Sequence, residues 1–168
     1  ILPGSSMVVN LIDFAVSCVI LVGLFIAYRF VPGPAVFAVP LFLLLAVVTA
    51  AGLGLWFAAL IVRFRDIRQL VPFLLQLGLF ASPVGFSSDV VPTEWRMLYA
   101  LNPMVGVIDG FRWAILGGAH ELQLPALAVS VVVAVALLVS GLAHFRRVER
   151  TFAVQAGREV RILVRPEE

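Results

Sequence analysis

Histidine, cysteine, lysine and clustered acids are the groups that usually carry catalysis, and this chain spreads them thinly. Of its 168 residues, twelve are basic and all of these are arginine, so no lysine is present to grip a phosphate in a P-loop or to form a Schiff base. The chain is therefore not expected to hydrolyse ATP by itself. His120 and His144 fall at opposite ends of the hydrophobic pattern, so they are not expected to share a metal, and no paired-cysteine or HExxH spacing occurs. Cys18 is the only cysteine and lies in an apolar run, where lipid or helix packing explains it better than redox chemistry. Asp13 is the one acid well inside an apolar segment, and its insertion cost of about 2.5–3.5 kcal/mol calls for a partner. Reach to water or to a neighbouring arginine would supply one, with a proton or substrate role as the alternative. The remaining acids are scattered, whereas a membrane transferase would gather acids or histidines at one interface.

Composition sets the environment of these residues. At 62% hydrophobic and 13% charged, the chain lies far from the roughly 25% charge of soluble domains, and its net charge of +2 gives no reason to expect nucleic acid. A membrane span needs roughly 20 mostly apolar residues. Met7–Tyr28, closed by Arg29 and the turn-forming Pro32, Gly33 and Pro34, meets that need; so do Val36–Val62 and Leu122–Ala143. In the second segment, Gly52 and Gly54 near Trp56 suit a close helix approach. The third segment, Gln69–Ser88, differs. Pro72 suits a helix start and Pro83 a helix end, and a helix over 71–82 would rise only about 18 Å. This segment is expected to break near Ser82, Pro83 and Gly85 and to line a pathway, because broken backbone at membrane depth needs protein or water beside it. A simple proline-kinked span is the alternative. Phe80, Pro83, Phe86 and Gln76 are the candidate path residues.

Between the third and fourth spans, residues 88–121 mix apolar and charged positions in a helical rhythm. Trp95, Leu98 and Tyr99 share one face, and Met104, Ile108 and Phe111 share another. Pro92 and Pro103 suit first-turn positions, Asn102 suits an N-cap, and Gly117 with Gly118 ends the second piece. Met104–Leu116 is too short for a span and carries Asp109 and Arg112, so two interfacial or partly re-entrant helices are expected, either as a surface hairpin or as a gate. With four crossings, the two arginine clusters (Arg63, Arg65 and Arg68; Arg146, Arg147 and Arg150) fall on one side, which the lysine and arginine bias of short loops makes the cytoplasm. Arg63, Arg65, Asp66 and Arg68 then form a tight cytoplasmic turn. The rings of Trp56, Phe57, Phe73, Phe80, Phe86, Trp95, Tyr99 and Trp113 read first as an interfacial belt or core packing, and second as flat faces for sugars.

The run from Gly52 to Gly117 resembles the permease subunit of type-2 ABC exporters for polysaccharides of the O-antigen, capsule or teichoic acid class. VRFRDIRQLVPF, ASPV and LNPMVGVIDGFRWAILG carry the resemblance, with FRRVERTFA at the end. It covers about residues 1–152 and leaves 153–168 as a charged tail of different character. The resemblance implies an all-α polytopic bundle of six spans, of which this chain holds the last four, with two short extracytoplasmic gate helices. Trp95, Tyr99, Asn102, Phe111 and Arg112 stand in the gate positions. It also implies a homodimer with a second permease copy, a separate ABC ATPase subunit that uses ATP and Mg, contact with membrane lipids, a glycan or lipid-linked glycan as cargo, and a bacterial inner-membrane location. No cofactor is expected on this chain. Ile1 is not an initiator methionine, so a longer protein with upstream segments is expected. A drug or small-lipid exporter, an uncoupled channel or scaffold, and an inactive fragment are the alternatives.

Overall fold

The computed structural model describes residues 2–64, 66–117 and 122–163, with side chains described over 12–64, 66–117 and 122–148. Among the described residues the chain is wholly helical. In order come α1 (Leu2–Ala27), a 3-10 turn (Pro34–Ala38), α2 (Val39–Arg63), α3 (Ile67–Ala81), a 3-10 turn (Ser88–Val90), α4 (Thr93–Tyr99), α5 (Pro103–Ile115) and α6 (Leu124–Leu163). The expected helix bundle is present. Arg65, His120 and Glu121 lie outside the described residues, as do the side chain of Arg150 and the side chains of the tail.

Helix α1 ends in a Schellman motif. Arg29 takes a left-handed φ of 52°, its N–H bonds Ile26 O at 3.2 Å, and Phe30 N–H reaches back to Phe25 O at 2.9 Å. The apolar contact that accompanies this turn is also present, since the Phe25 and Phe30 rings lie 5.5 Å apart. The Asp13 carboxylate is exposed and meets no arginine among the described residues, so the structural pairing expected for it is absent there; its carbonyl accepts from Ser17 Oγ at 2.8 Å.

The centre of the bundle is the α2–α6 pair. Both helices are long and apolar enough to cross a membrane, and their apolar side chains point mainly outward, with Leu41, Leu44, Val47, Val132, Val135 and Val139 exposed. Helices greasy on the outside belong in lipid and not in a water-soluble core. They meet through glycine: a Cβ on Gly52 would lie 2.8 Å from Leu138 N, and one on Gly141 would lie 3.0 Å from Gly52 O. Gly54, the other candidate for this contact, has nothing within 4 Å and faces away. Farther along, Trp56 Nε1 donates to Ser140 Oγ at 3.0 Å and the indole stacks on His144 at 5.1 Å. Gly52 therefore pairs with Leu138 and Trp56 with His144, so the helices run parallel. Arg63, about 10 Å beyond Trp56, and Arg146 and Arg147, just beyond His144, consequently lie at one end of the bundle.

Helix α3 starts at Ile67, four residues earlier than the expected start, which places Pro72 inside the helix. Only the bond to the Arg68 carbonyl is lost there, and Arg68 is exposed near the helix end. The break comes where expected. Ser82 is extended, with φ −105° and ψ 149°, because the residue before a proline is pushed out of the helical region. Fifteen residues rise about 22 Å, short of the roughly 30 Å hydrocarbon core.

Helices α4 and α5 form a short hairpin packed against α6. Ala100, at the joint between them, is fully buried, and its carbonyl accepts from Ser130 Oγ at 3.0 Å. Ser130 lies about 9 Å along α6 from Leu124, which sets the depth of the joint. From there α5 returns to the surface between α2 and α6. Gly106 meets Ser130, Gly110 meets the Phe42 ring, and Gly117, at φ +66°, lies against Gly33. Gly106, Gly110 and Ala114 thus form a small-residue face at a spacing of four, and all three are buried.

The asymmetry between the neighbouring glycines is directly measurable. Gly52→Val should weaken the α2–α6 pair by about 1–3 kcal/mol, since the new atoms press on backbone, whereas Gly54→Val should leave stability unchanged. Thermal unfolding in detergent, followed by intrinsic tryptophan fluorescence, compares the two, and equal effects would contradict the packing described.

Candidate functional site

The site begins with carbonyls. A helix leaves its last four carbonyls without intrahelical partners, and α3 ends at membrane depth with an extended segment after it. Ser82 Oγ turns back to Gly78 O at 2.7 Å. Asn102 Nδ2 donates to Ala81 O at 3.3 Å and to Ser82 Oγ at 3.0 Å. Asn102 Oδ1 accepts from Met104 N at 3.1 Å, so one side chain caps α5 as expected and also holds the end of α3. Arg112 then spans the gap from α5, with Nη2 donating to Pro83 O at 2.6 Å and to Val84 O at 3.2 Å.

A second ring of polar groups surrounds this strap. Asp109, one turn before Arg112, pairs with it at 3.8 Å and accepts a short hydrogen bond from Ser88 Oγ. Arg96 on α4 donates to Val91 O at 2.8 Å and to Asp89 O at 3.1 Å. Ser87 Oγ donates to the Asp89 carboxylate at 2.8 Å. The Phe86 and Tyr99 rings lie 6.5 Å apart. Ser87, Ser88, Asp89, Arg96, Tyr99, Asp109 and Arg112, together with Gln123 and the first residues of α6, line a hollow holding about 40 Å³ of free space.

Two atoms in this assembly stand out. Tyr99 Oη and Arg112 Nη1 are buried without a hydrogen-bond partner, at a cost of roughly 1–3 kcal/mol each. Burial raises the Tyr99 pKa above its ordinary 10.0, the Asp109 charge raises it further, and Arg112 opposes both. Two guanidinium groups and two carboxylates line the hollow among apolar side chains, so its charges nearly cancel. Among the described residues, no group of three or more His, Cys, Asp or Glu is placed to hold a metal. The arrangement suits holding and releasing backbone and hydroxyl groups.

The expected residues divide between this centre and the surroundings. Tyr99, Asn102, Arg112 and Phe86 converge here, and Pro83 is fully buried beneath Arg112. Phe111 lies on another side of α5, its ring 6.3 Å from that of Phe42. Trp95 and Phe80 are 59% and 72% exposed, and Gln76 is exposed on α3, so these three point away from the hollow. Arg63 covers the Phe64 ring at 5.3 Å, at the far end of the bundle, with Asp66 and Arg68 exposed nearby. Sequence reasoning did not find Ser88, Arg96 or the role of Asp109. The i, i+3 pairing of Asp109 and Arg112 was visible in the sequence, while the Ser88 contact spans 21 positions and was not.

Two outcomes follow. Arg112→Ala should destabilise the fold by roughly 1–3 kcal/mol, chiefly the cost of leaving the part-buried Pro83 carbonyl unmet, and should open residues 82–92 to protease; unchanged digestion would refute the strap. In a Tyr28→Phe background, phenolate absorbance should show Tyr99 ionising above 10.0. Because the folded state holds this proton more tightly than the unfolded state, the associated stability is present below pH about 10 and lost above it. Asp109→Asn should move the ionisation back down, since it removes a raising charge.

Comparison with known proteins places this architecture. A family model described as "ABC-2 type transporter" matches residues 5–116, which cover the chain from early α1 through α5. An "O-antigen export system permease protein RfbA" of Myxococcus xanthus is 32% identical over 114 residues, covering 67% of this chain and 44% of that protein. A protein of the same description from Klebsiella pneumoniae is 23% identical over 154 residues, covering 91% of this chain and 59% of that protein. The chain thus spans about half the length of the curated relatives it matches. No solved structure matches. Since the family match takes in the interrupted helix together with the hairpin that shelters it, the chain belongs to the ABC-2 type transporter family.

Proposed function

We propose that this chain is transmembrane machinery of an ATP-binding-cassette exporter that moves polysaccharide or lipid-linked glycan of the O-antigen class outward across the bacterial inner membrane. The observation that carries this reading is family membership combined with relatives described as O-antigen export permeases. In this reading ATP and Mg are used on a separate ATPase subunit, which docks near the end of the bundle bearing Arg63, Asp66, Arg68, Arg146 and Arg147. That end is cytoplasmic, a second permease copy completes the path, and the α4–α5 hairpin forms the outer gate. The clustering of arginines at one end supports the orientation, because lysine and arginine near span ends favour the cytoplasm. ATPase closure would then bias the permease pair between two arrangements, provided that each has its own contact set. The α3 break and its strap to α5 are suited to be such a set.

The full-length protein should co-purify with an ABC ATPase, and the complex should hydrolyse ATP faster in the presence of glycan substrate. Replacement of Pro83 or Trp95 should lower surface glycan while leaving membrane insertion intact. Absence of any ATPase association would remove the exporter reading, and normal surface glycan in both variants would remove these two residues from it.

A further inference from the structure

We infer that the hollow between α4, α5 and the start of α6 is a binding site for the hydroxyl edge of a neutral polyol, with Tyr99 and Arg112 as its recognition groups. Size comes first. About 40 Å³ of free space admits roughly one or two water-sized groups, which suits hydroxyls projecting from a ring and excludes a whole ring or a polymer segment. Charge comes second. An anionic oxygen would meet the carboxylates of Asp89 and Asp109, and a cation would meet Arg96 and Arg112, so a neutral group is the one that neither pair repels.

Hydrogen-bonding capacity then selects the hydroxyl. Arg112 Nη1 can only donate, Tyr99 Oη can donate or accept, and Asp109 can only accept. A hydroxyl does both and is able to bridge all three. Tyr99 Oη and Arg112 Nη1 are buried without a hydrogen bond in the present arrangement, Nη1 meeting only the Asp109 carboxylate at 3.8 Å, so a small displacement of the half-buried Tyr99 that admits a hydroxyl gives each atom a hydrogen bond it otherwise lacks. The Tyr99 ring adds an apolar surface to the lining. Gln123, exposed on the α6 side, offers both donor and acceptor at the rim. The identification of the polyol as exported glycan rests on the function proposed above; the site chemistry does not.

The test is saturation-transfer NMR on the full chain in lipid nanodiscs, with methyl mannoside, glycerol, inorganic phosphate and choline as separate probes. Transfer to methyl mannoside is expected, with about tenfold weaker binding after Tyr99→Phe, the size of one lost hydrogen bond of this kind. Gln123→Ala should weaken it to a smaller degree. Because Tyr99→Phe removes an oxygen that bonds nothing in the fold, its unfolding temperature should be unchanged or raised, which separates lost binding from lost structure. Equal transfer to glycerol would assign the same hydroxyl chemistry to a glycerol headgroup. Transfer to phosphate or choline in preference to the polyols, or mannoside binding unmoved in both variants, would overturn the site. A chain that binds mannoside but associates with no ATPase would retain the site and lose the exporter reading.

Discussion

A peptide carbonyl in hydrocarbon must find a donor, and this requirement organises the half of the bundle away from the arginine clusters. Helix α3 stops at Ala81, before it can cross the core, and the chain leaves it through Ser82 and Pro83 in extended conformation. Broken backbone in a membrane protein needs protein or a water-filled cavity beside it, and here protein supplies donors. Asn102 supplies Ala81, and Arg112 supplies Pro83 and Val84. Both donors lie on the α4–α5 segment, one at its innermost point and the other two turns and a half along α5. The hairpin and the break are thus matched: the break leaves carbonyls exposed, and the hairpin carries the donors that meet them.

Insertion of the hairpin makes a second demand, for space. Helix α5 carries Gly106, Gly110 and Ala114 on the face toward α2 and α6, so that Ser130 and the Phe42 ring occupy the volume where side chains would otherwise stand. The α2–α6 pair makes the same economy at Gly52 and Gly141. Lipid offers little hydrophobic drive for helix association, and close approach with dense contact takes its place. Precise placement of Asn102 and Arg112 follows from this packing, since a hairpin held a side chain's width farther out would not reach the carbonyls.

The local chemistry of this design could be read in the sequence, and its long-range contacts could not. Pro83 forces Ser82 out of the helix whatever surrounds it, and Asn102 before Pro103 is an N-cap by residue type alone, so the break and the start of α5 were both foreseeable. The start of α3 was misjudged because Pro72 was taken for a first-turn residue, while an exposed early turn tolerates it. Gly52 and Gly54 look alike in sequence, and only the position of α6 decides that one is packed and the other free. Ser88 and Asp109 have nothing local to link them. Asp13 was expected to reach water or an arginine; among the described residues it is exposed and meets no arginine.

The brevity of α3 also has a consequence for the surrounding membrane. Its fifteen residues carry no buried side chain, and Phe73, Leu75, Leu79 and Phe80 are all exposed, while α2 beside it spans the whole hydrocarbon thickness. Acyl chains resting on α3 reach its polar end about 8 Å sooner than those resting on α2. Hydrophobic mismatch of this kind is relieved when the bilayer thins locally or the helix tilts. A lipid-facing α3 would therefore favour shorter or less ordered acyl chains beside it unless the helix tilts.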